Sequence, residues 1–437
     1  MEFNGWGRYP KIQAKLVEPI DSFTIKGLLK ECAGKGQLIA QGARRSYGDS
    51  CLAENIVGSR FLDNFISFDR NNGTIACGAG VTLDQILEIS VPAGWFLPVL
   101  PGTRFVTAGG AIASDVHGKN HHTDGCFSSF VNSITLMLAS GEIVQCGSGM
   151  NDALFHATCG GMGLTGIILQ ASLKLERISS AFIEQRTEIA GNLDEILELF
   201  DKYADSKYSV AWIDCLARGS KLGRSVLLTG EHTTRGDLVN WDRTKVSAPS
   251  RSPGFLINRH SMKLFNNVYY ALQKSGRRDN ILHYRDYFFP LDWIRHWNRL
   301  YGKAGFIQYQ FVVPQASAKE SLTAVLREIS SQGKGSFLSV LKKMGAENNN
   351  YLSFPMAGYT LALDFKVEDS LFPLLDRLDQ IVMDGGGRVY LAKDARMKES
   401  MFKQTYPRWQ QFCQVRQDVD PTSLFGSLQS RRLGLSE

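Results

Sequence analysis

The alternation of apolar and polar residues divides the chain into two regions of different character. In the first 178 residues, short apolar runs typical of β-strands alternate with glycine-rich loops. The predicted strands cover residues 37–41, 74–78, 133–138, 142–146 and 167–176, and residues 82–89 are predicted to form a short helix. This pattern predicts a mixed α+β domain whose loops approach a ligand closely, because glycine leaves the backbone uncovered.

From about residue 180, amphipathic helices alternate with strands. Apolar residues recur at i, i+3, i+4 and i+7 from Leu193, behind an N-cap at Asn192, and the spacing returns from Leu322 and from Leu371. Strands are predicted after these helices, at residues 208–213, 336–341 and 388–391. Helix-then-strand units of this kind predict an antiparallel sheet covered by helices on one face. The predicted fold class is therefore α+β in two domains.

Residues 218–278 are basic and weakly patterned. We interpret them as a solvated, partly mobile excursion from the folded core, because basic and weakly patterned segments usually lie on the protein surface. The alternative is a surface that touches anionic lipid. The residues that favour this alternative are the cations Arg235, Arg243, Lys245, Arg251, Arg259, Lys263, Lys274, Arg277 and Arg278 and the apolar Phe255, Leu256, Phe265 and Tyr269.

Composition excludes several classes of protein. With 437 residues, 43% of them hydrophobic and 21% charged, the chain is neither disordered nor a coiled coil. A net charge of +6 from 49 basic and 43 acidic residues is too balanced for a dedicated nucleic-acid binder. No window reaches the ~18 apolar residues of a membrane-spanning helix, and the amino terminus lacks signal-peptide character. We expect a cytoplasmic protein, or one peripheral to a membrane.

Three glycine-rich loops carry the candidate chemistry of the first region. Residues 42–49 follow a predicted strand and combine two glycines with two arginines and a serine, which suits a pyrophosphate, although a structural turn would explain them equally well. In residues 98–122, small residues alternate with Thr103, Thr107 and Ser114, which can bond the polar edge of a flat ligand. Residues 159–168 form the third loop. Together they could line both ends of a dinucleotide.

Metal binding is not predicted. The histidines at 117, 121 and 122 have no common ligand spacing, and the eight cysteines form no CxxC pair.

A polar pocket is predicted in the second region. Residues 306–313 read as a strand with one apolar face, and Gln308 and Gln310 share the other face. Two buried amides need partners, which favours a pocket over core. Lys342, Asp364 and Lys393 also lie in strand-like runs.

The loops 42–49, 98–122 and 160–168 together closely resemble the decaprenylphosphoryl-β-D-ribose 2-oxidase family, which belongs to the vanillyl-alcohol-oxidase-type flavoproteins with a PCMH-type FAD domain. The likeness extends from residues 5–8 to residues 418–421. It implies an FAD-binding domain over 1–178, a substrate-binding cap domain over 179–387, and a C-terminal segment, 388–437, that returns to the FAD domain. In related sugar oxidases a histidine of a GxRHS motif links to the flavin; Arg45 replaces it here, so noncovalent FAD is expected.

The resemblance also implies the site residues. FAD would be held by Gly42, Ala43, Arg44, Arg45, Ser46, Tyr47, Gly48, Asp49, Gly102, Thr103, Thr107, Ala108, Gly109, Gly110, Ser114, His117, Gly118, Ile167 and Tyr390. Substrate would contact Gln308, Gln310, Lys342, Thr360 and Lys393, and the catalytic candidates are Lys393, Tyr47 and His117.

The implied reaction is hydride transfer from a sugar carbinol to the flavin, which gives a ketone. The implied substrate is a polyprenyl-phosphate-linked pentose, and a partner short-chain reductase would complete an epimerisation. Where family members carry a G-W-N-x-C-x-D-F strand, this chain has Thr360 and Ala362, so the exact sugar stays open. Two alternatives remain: an aldonolactone or alditol oxidase acting on a soluble sugar, and a non-catalytic membrane-surface protein that kept the fold.

Overall fold

Two large antiparallel sheets, one of five strands and one of eight, organise the computed structural model. The structure describes residues 1–241, 246–248, 258–336 and 338–436. In these ranges the α-helices are α1 (Ser22–Cys32), α2 (Leu83–Ser90), α3 (Ala108–Ala113), α4 (His121–Asp124), α5 (Asp152–Thr158), α6 (Leu193–Lys202), α7 (Arg259–Ser275), α8 (Tyr284–Phe288), α9 (Ala318–Gln332), α10 (Leu371–Asp384), α11 (Glu399–Thr405), α12 (Trp409–Val419) and α13 (Leu428–Arg432). No helix within this described part is long and apolar enough to cross a bilayer.

The strands are β1 (Glu2–Asn4), β2 (Lys11–Gln13), β3 (Lys15–Val17), β4 (Leu38–Gln41), β5 (Asn55–Gly58), β6 (Phe65–Asp69), β7 (Thr74–Gly78), β8 (Trp95–Phe96), β9 (Val131–Met137), β10 (Ile143–Gly147), β11 (Ile167–Lys174), β12 (Glu176–Arg177), β13 (Phe182–Ala190), β14 (Tyr208–Ile213), β15 (Ser225–His232), β16 (Val246–Ser247), β17 (Asp279–His283), β18 (Ile294–Arg295), β19 (Phe306–Pro314), β20 (Ser339–Met344), β21 (Gly358–Lys366) and β22 (Arg388–Val389). The α+β class predicted from the sequence is confirmed.

The first region contains two principal sheets. Strands β3, β5 and β4 form a parallel sheet, and the order β10-β9-β11-β7-β6 forms the five-stranded antiparallel sheet. Helix α2 begins where the sequence predicts it, because Thr82 and Gln85 form a capping box that satisfies the first free amides. The glycine loops connect these elements and meet around one cavity.

The eight-stranded antiparallel sheet has the order β17-β13-β15-β14-β20-β21-β19-β22. Its apolar face packs against α6, α9 and α10 through residues such as Phe200, Leu326 and Leu378, all nearly inaccessible to solvent. Asn192 caps α6 by accepting from the amide of Glu195, and Gly385 ends α10, as the spacing predicts. The predicted antiparallel sheet is confirmed, and α6, α9 and α10 cover one of its faces. The prediction that helices cover one face only is wrong, because α7 packs on the opposite face, where the ring of Tyr269 contacts Trp212 at 4.8 Å.

The predicted strand 336–341 is displaced by three residues. The ladder begins only at Ser339, opposite Leu363, and Ser336 is held by its side chain instead. Its hydroxyl donates to the carbonyl of Leu338 at 2.8 Å and accepts from the amide of Asp364 at 3.0 Å. Similarly, the strand predicted over 388–391 ends at Val389.

The interpretation of residues 218–278 as a solvated excursion is wrong for much of the segment. Strand β15 pairs with both β13 and β14, and α7 is a helix of 17 residues. Val226 and Leu227 are fully buried, so a short apolar run inside a basic stretch was enough to make a central strand. Arg243, Lys245, Arg251, Phe255 and Leu256, which the lipid alternative also used, lie outside the described residues.

The last fifty residues contact the eight-stranded sheet and the three-stranded parallel sheet of the first region. Strand β22 pairs with β19 at the edge of the large sheet. Beyond it, Phe425 forms a parallel bridge to Leu38, and Arg432 binds the carboxylate of Asp49 at 2.8 Å.

Candidate active site

A cavity of about 710 Å³ lies between the glycine loops and the polar face of the eight-stranded sheet. Glycines from all three predicted loops line it, and so do side chains from β19, β20 and β21. Of the predicted site residues, those in its wall are Gly42, Ala43, Arg44, Arg45, Ser46, Tyr47, Gly102, Thr103, Thr107, Gly109, Gly110, Ser114, His117, Ile167, Gln308, Gln310, Lys342, Tyr390 and Lys393. The structure therefore brings most of the predicted residues together.

Five predicted residues lie behind the cavity wall. Gly48 packs so closely on the backbone of Asp394 that an added Cβ would lie 1.7 Å from its carbonyl oxygen. Asp49 is ion-paired to Arg432, and Ala108 is fully buried in the core. Gly118 packs on Asn120, and Thr360 is buried beneath Gln310. These positions support the wall and do not form its surface.

The polar side of the sheet follows directly from strand register. Gln308 lies opposite Asp364, Gln310 opposite Ala362, and Lys342 opposite Thr360. Because directly opposed residues point to the same side of a sheet, alternate positions of three strands face the cavity together. The intervening residues, such as Ile307 and Leu363, fill the helix-covered core.

A directional chain of hydrogen bonds fixes the protonation of His117. The Thr360 hydroxyl donates to the carbonyl of Phe311 at 2.8 Å, and it accepts from the Gln310 amide at 3.2 Å. The same amide nitrogen lies 3.0 Å from Nε2 of His117, which must accept, so the imidazole proton is on Nδ1. Burial together with the positive charge of Lys342 holds the His117 pKa well below its usual value. His117 is therefore a neutral donor whose Nδ1, buried at the cavity, has no partner among the described residues.

An acid and a base of unusual pKa lie near each other. Burial raises the pKa of Asp364 to about 7, although its Oδ1 accepts a 2.6 Å hydrogen bond from Gln308. Burial lowers the pKa of Lys393 to about 7, opposed by attraction to Asp364. The Lys393 ammonium lies 3.8 Å from the ring centroid of Tyr47. Burial also lowers the pKa of Lys342, to about 8.

Arg45 forms part of the cavity wall between two aromatic rings. Its guanidinium lies 4.3 Å from the ring of Trp6 and 5.3 Å from that of Phe105. Tyr390 also lines the cavity, and its hydroxyl donates to the carbonyl of Ser114 at 2.8 Å.

Several wall residues were not among the predicted site residues, including Trp6, Asp292 and Trp297. Asp364 was predicted to lie in a strand but was assigned no role, and alternation along β21, where it shares a face with Thr360, could have supplied one. The sequence around Trp6, Asp292 and Trp297 contains no motif that indicates a binding site. Only the fold brings these residues to the cavity. The other histidines of the predicted cluster bond elsewhere: His121 accepts from the amide of Gly345, and His122 lies 2.8 Å from the carbonyl of Ser206.

Comparison with known proteins identifies the family to which this chain belongs. The model described as an FAD binding domain matches residues 14–147, and that of D-arabinono-1,4-lactone oxidase matches residues 364–433. The decaprenylphosphoryl-β-D-ribose oxidase of Mycolicibacterium smegmatis is 36% identical over 99% of this chain and 97% of its own length. The chain belongs to the decaprenylphosphoryl-β-D-ribose oxidase family. It is an FAD-dependent oxidoreductase, as the sequence predicts, which sets aside the non-catalytic alternative.

Other relatives are less similar to this chain. An uncharacterised protein of Streptomyces coelicolor is 31% identical over 81% of this chain and all of its own length. The L-gulonolactone oxidase of Bos taurus is 21% identical over 83% of this chain and 82% of its own. The similarity to the decaprenylphosphoryl-β-D-ribose oxidase is thus the stronger one.

The cavity of this family member fits FAD. Glycine backbone lines much of the wall, and a Cβ built on Gly102 would meet no protein atom within 4 Å, so space lies open above it. Arg44, Arg45 and Ser46 supply cations and a hydroxyl for a pyrophosphate. The free donor of His117 and the buried, unpartnered Nε of Arg45 are polar groups that a ligand would satisfy.

Proposed function

We propose that this enzyme oxidises one hydroxyl of a polyprenyl-phosphate-linked pentose to a ketone, as the oxidase half of a two-enzyme epimerisation completed by a short-chain reductase. The observation that carries the proposal is the polar sheet face, which turns Gln308, Lys342 and Asp364 toward the same cavity as the glycine loops. The 36% identity to the Mycolicibacterium smegmatis oxidase supports this substrate class. Lys342 and Lys393 supply positive charge for a sugar phosphate.

Asp364 is the proton acceptor in this proposal. FAD, when bound, accepts the hydride from the carbinol carbon, and the hydroxyl proton must leave as the ketone forms. A carboxylate with a pKa of about 7 is well matched to take that proton near neutrality. Gln308 holds the carboxylate in place through its 2.6 Å hydrogen bond. We therefore assign to Asp364 the role of the catalytic base, a residue that the sequence alone did not identify.

Lys393 and His117 act as electrostatic and hydrogen-bonding groups. The Lys393 ammonium, held over the ring of Tyr47, would stabilise negative charge that develops as the hydroxyl loses its proton. His117 cannot take a proton at Nε2, because that atom already accepts from Gln310. Its Nδ1–H instead offers a fixed donor to the cofactor or the sugar. Tyr47 shapes the site and keeps its phenol protonated, since burial raises its pKa well above the usual value.

The domain division belongs to the same proposal. Residues 1–178 would form the PCMH-type FAD-binding domain, residues 179–387 the cap over the flavin, and residues 388–437 the returning segment. The hydrogen bond from Tyr390 to Ser114 and the ion pair of Arg432 with Asp49 support the return. FAD would be held noncovalently, because Arg45 occupies the position of the attaching histidine in related sugar oxidases and packs against Trp6.

A second candidate is oxidation of a soluble aldonolactone or alditol. The match of residues 364–433 to the D-arabinono-1,4-lactone oxidase model favours it. Thr360 and Ala362, which stand where mycobacterial members of the family have an amide and a thiol, lie on the polar side of the sheet, so this chain presents different groups there.

The visible spectrum and acid precipitation test the cofactor first. A flavin spectrum whose colour moves to the supernatant supports noncovalent binding, whereas colour in the pellet contradicts it. The holoenzyme is then mixed anaerobically with decaprenylphosphoryl ribose in detergent, L-gulono-1,4-lactone or an alditol. Flavin bleaching by the lipid-linked pentose alone supports the first candidate. Bleaching by the soluble sugars alone supports the second.

A further inference from the structure

Two segments form the mouth of the cavity. Most of the described wall residues are buried or half-buried, and the exposed ones come from the glycine loops and from residues 291–297. These exposed wall residues are Gly42, Ala43, Arg44, Gly102, Arg295 and His296. Exposed wall residues mark where a cavity meets solvent, so a ligand enters between the glycine loops and residues 291–297. We call residues 291–297 the rim segment.

The rim segment is held against the first region near both of its ends. Oδ2 of Asp292 accepts from the backbone amide of Arg104 at 3.0 Å, and Nδ2 of Asn298 donates to the carbonyl of Trp6 at 2.9 Å. The rings of Trp6 and Trp297 meet edge to face, with their centroids 5.9 Å apart. These contacts join the two sides of the mouth, so its shape is preformed.

Arg45 lies between the mouth and the polar face of the sheet. Its loop begins at the exposed Gly42 and reaches Tyr47, whose ring lies 3.8 Å from the ammonium of Lys393. The Arg45 guanidinium lies 4.3 Å from the ring of Trp6, and Trp6 contacts the rim segment. A ligand that extends from the polar face to solvent therefore passes Arg45.

The charge of Arg45 acts on groups in both directions. Toward the polar face, burial raises the pKa of the Tyr47 phenol, and the charge of Arg45 opposes that rise. Toward the mouth, partial burial and the charges of nearby arginines, among them Arg45 and Arg295, hold the pKa of His296 below its usual value. Positive charge thus extends from the glycine loop to the rim segment.

Arg45 has no counter-ion among the described residues. The rings of Trp6 and Phe105, on which its guanidinium stacks, fix it in place. Its Nε is buried and makes no hydrogen bond to the described residues. Burial lowers the pKa of Arg45, and the charge of Asp292 opposes this fall without forming an ion pair. A half-buried guanidinium that is fixed and unpaired is suited to bind an anion.

A phosphate ester is the anion that fits this position. A guanidinium can bond two phosphate oxygens at once. In a polyprenyl-phosphate-linked sugar the phosphate separates the sugar from the apolar chain, so a sugar on the polar face directs its phosphate toward the mouth. The apolar side chains of Leu291, Trp297 and Leu338 line the same cavity and pack in one cluster. They suit the first carbons of the isoprenoid chain.

We propose that Arg45 binds the phosphodiester of the substrate, between the sugar on the polar face and the isoprenoid chain that leaves past the rim segment. The proposal rests on the proposed function for the identity of the sugar. Arg295 adds positive charge at the mouth. The pyrophosphate of FAD presents the same phosphate oxygens, so the experiment has to distinguish the two sources. Arg44 and Ser46 stay available to that pyrophosphate.

The test is calorimetric titration of the full-length enzyme saturated with FAD. Farnesyl phosphate is the probe, and farnesol, which has the same chain without the phosphate, is its neutral counterpart. We expect the parent enzyme to bind farnesyl phosphate at least about tenfold more tightly than farnesol. Arg45→Gln should weaken farnesyl phosphate about tenfold or more and leave farnesol within about twofold. Arg45→Lys keeps the charge without the two-pronged geometry and should lose less.

Two further variants keep the test decisive if Arg45→Gln is unstable. Arg295→Gln changes an exposed side chain at the mouth and should weaken farnesyl phosphate about threefold, with a smaller effect at high salt. Arg299→Gln removes the same charge from a neighbouring position that does not line the cavity, and it should bind both probes as the parent does.

Three outcomes would overturn the phosphate subsite. The first is equal affinity of the parent for farnesyl phosphate and farnesol. The second is unchanged farnesyl phosphate affinity in both Arg45→Gln and Arg295→Gln. The third is an Arg45→Gln protein that binds FAD at least about tenfold more weakly but, once saturated, binds farnesyl phosphate as the parent does. In that case the guanidinium would belong to the cofactor pyrophosphate.

Anaerobic flavin reduction by decaprenylphosphoryl ribose in detergent is measured separately. Phosphate-dependent binding of farnesyl phosphate without flavin reduction would sink the proposed sugar oxidation and leave the phosphate subsite standing. Flavin reduction with the same half-saturating concentration in Arg45→Gln as in the parent would do the reverse.

Discussion

The side-chain amide of Gln310 donates to Nε2 of His117 at 3.0 Å, and this single contact decides which nitrogen of the imidazole carries the proton. The orientation of the amide is itself set by the Thr360 hydroxyl, which is committed to a backbone carbonyl. Through the side chains of Thr360 and Gln310, the carbonyl of Phe311 therefore determines which nitrogen of His117 carries the proton. His117 is presented there as a neutral donor.

Gln310→Glu should disturb this tautomer. A carboxylate can only accept, so Nε2 of His117 would have to be protonated and the pKa of the imidazole would rise. We expect flavin to remain bound while its reduction by substrate slows about 10- to 100-fold. Rapid-mixing measurements of flavin reduction as a function of pH give the result. Thr360→Val, which only frees the amide to rotate, is the matched variant and should slow the reaction less; an equal loss in both would argue against tautomer control.

Asp364→Asn should remove the proton acceptor. The substitution keeps the volume and the hydrogen bond from Gln308, so we expect FAD binding to survive and flavin reduction to slow about 10²- to 10⁴-fold. In the parent enzyme the rate should rise with pH as Asp364 ionises near its pKa of about 7. That rising limb should be absent in the variant, and its persistence would assign the base elsewhere.

The same variant should change the dependence of stability on pH. The folded-state pKa of Asp364, about 7, is above its ordinary value, so between about pH 4 and 7 the folded state binds more protons than the unfolded state. The contribution of Asp364 to the free energy of unfolding is therefore fully present below pH 4 and lost as pH rises to about 7. Urea unfolding at pH 5 and pH 8 should show Asp364→Asn gaining stability relative to the parent at pH 8.

Lys393→Ala should separate cofactor binding from reaction. The protein should stay yellow, because Lys393 faces the substrate side of the cavity in our proposal, but substrate should no longer reduce the flavin at a measurable rate. In the parent, loss of the ammonium proton above a pKa of about 7 should also lower the rate at alkaline pH. Unchanged reduction kinetics in Lys393→Ala would remove this residue from the site. Lys343→Ala, on the same strand as Lys342 but paired with Asp201, is the control.

Two glycine variants should report where FAD lies. A Cβ on Gly102 meets no protein atom within 4 Å, whereas one on Gly42 would lie 2.3 Å from Oγ1 of Thr107. Gly102→Val should therefore leave the melting temperature of the FAD-free protein unchanged and weaken FAD binding at least about tenfold. Gly42→Ala should lower both. FAD titration and thermal unfolding of both proteins give the comparison, and full FAD affinity in Gly102→Val would mean that the cofactor does not cover this glycine.

Much of the fold could be predicted because local patterns dominate it. Strands 74–78 and 208–213 occur as predicted, since the pattern of apolar residues marks both, and glycines at 73 and 80 flank the first. Strand β15 was missed because its apolar run is short and its neighbours are basic. Its position between two strands is decided by pairing partners distant in sequence.

The candidate site was predictable only where it is built from motifs. The composition of the glycine loops and the i, i+2 spacing of Gln308 and Gln310 indicate a binding site from the sequence alone. Asp292 and Trp297 reach the cavity from a segment without such signals. The tautomer of His117 depends on Thr360, some 240 residues away in the chain, so no local rule could have supplied it.

The ion pairs of Arg432 bear on how the enzyme is made. This residue, five before the end of the chain, binds both Asp49 in the first glycine loop and Asp394 beside Lys393, at 2.8 and 2.9 Å. Without it two buried carboxylates would face each other uncompensated. Asp49 and the cation that binds it are separated by 383 residues along the chain. This part of the cofactor site is therefore complete only once the two segments have folded against each other.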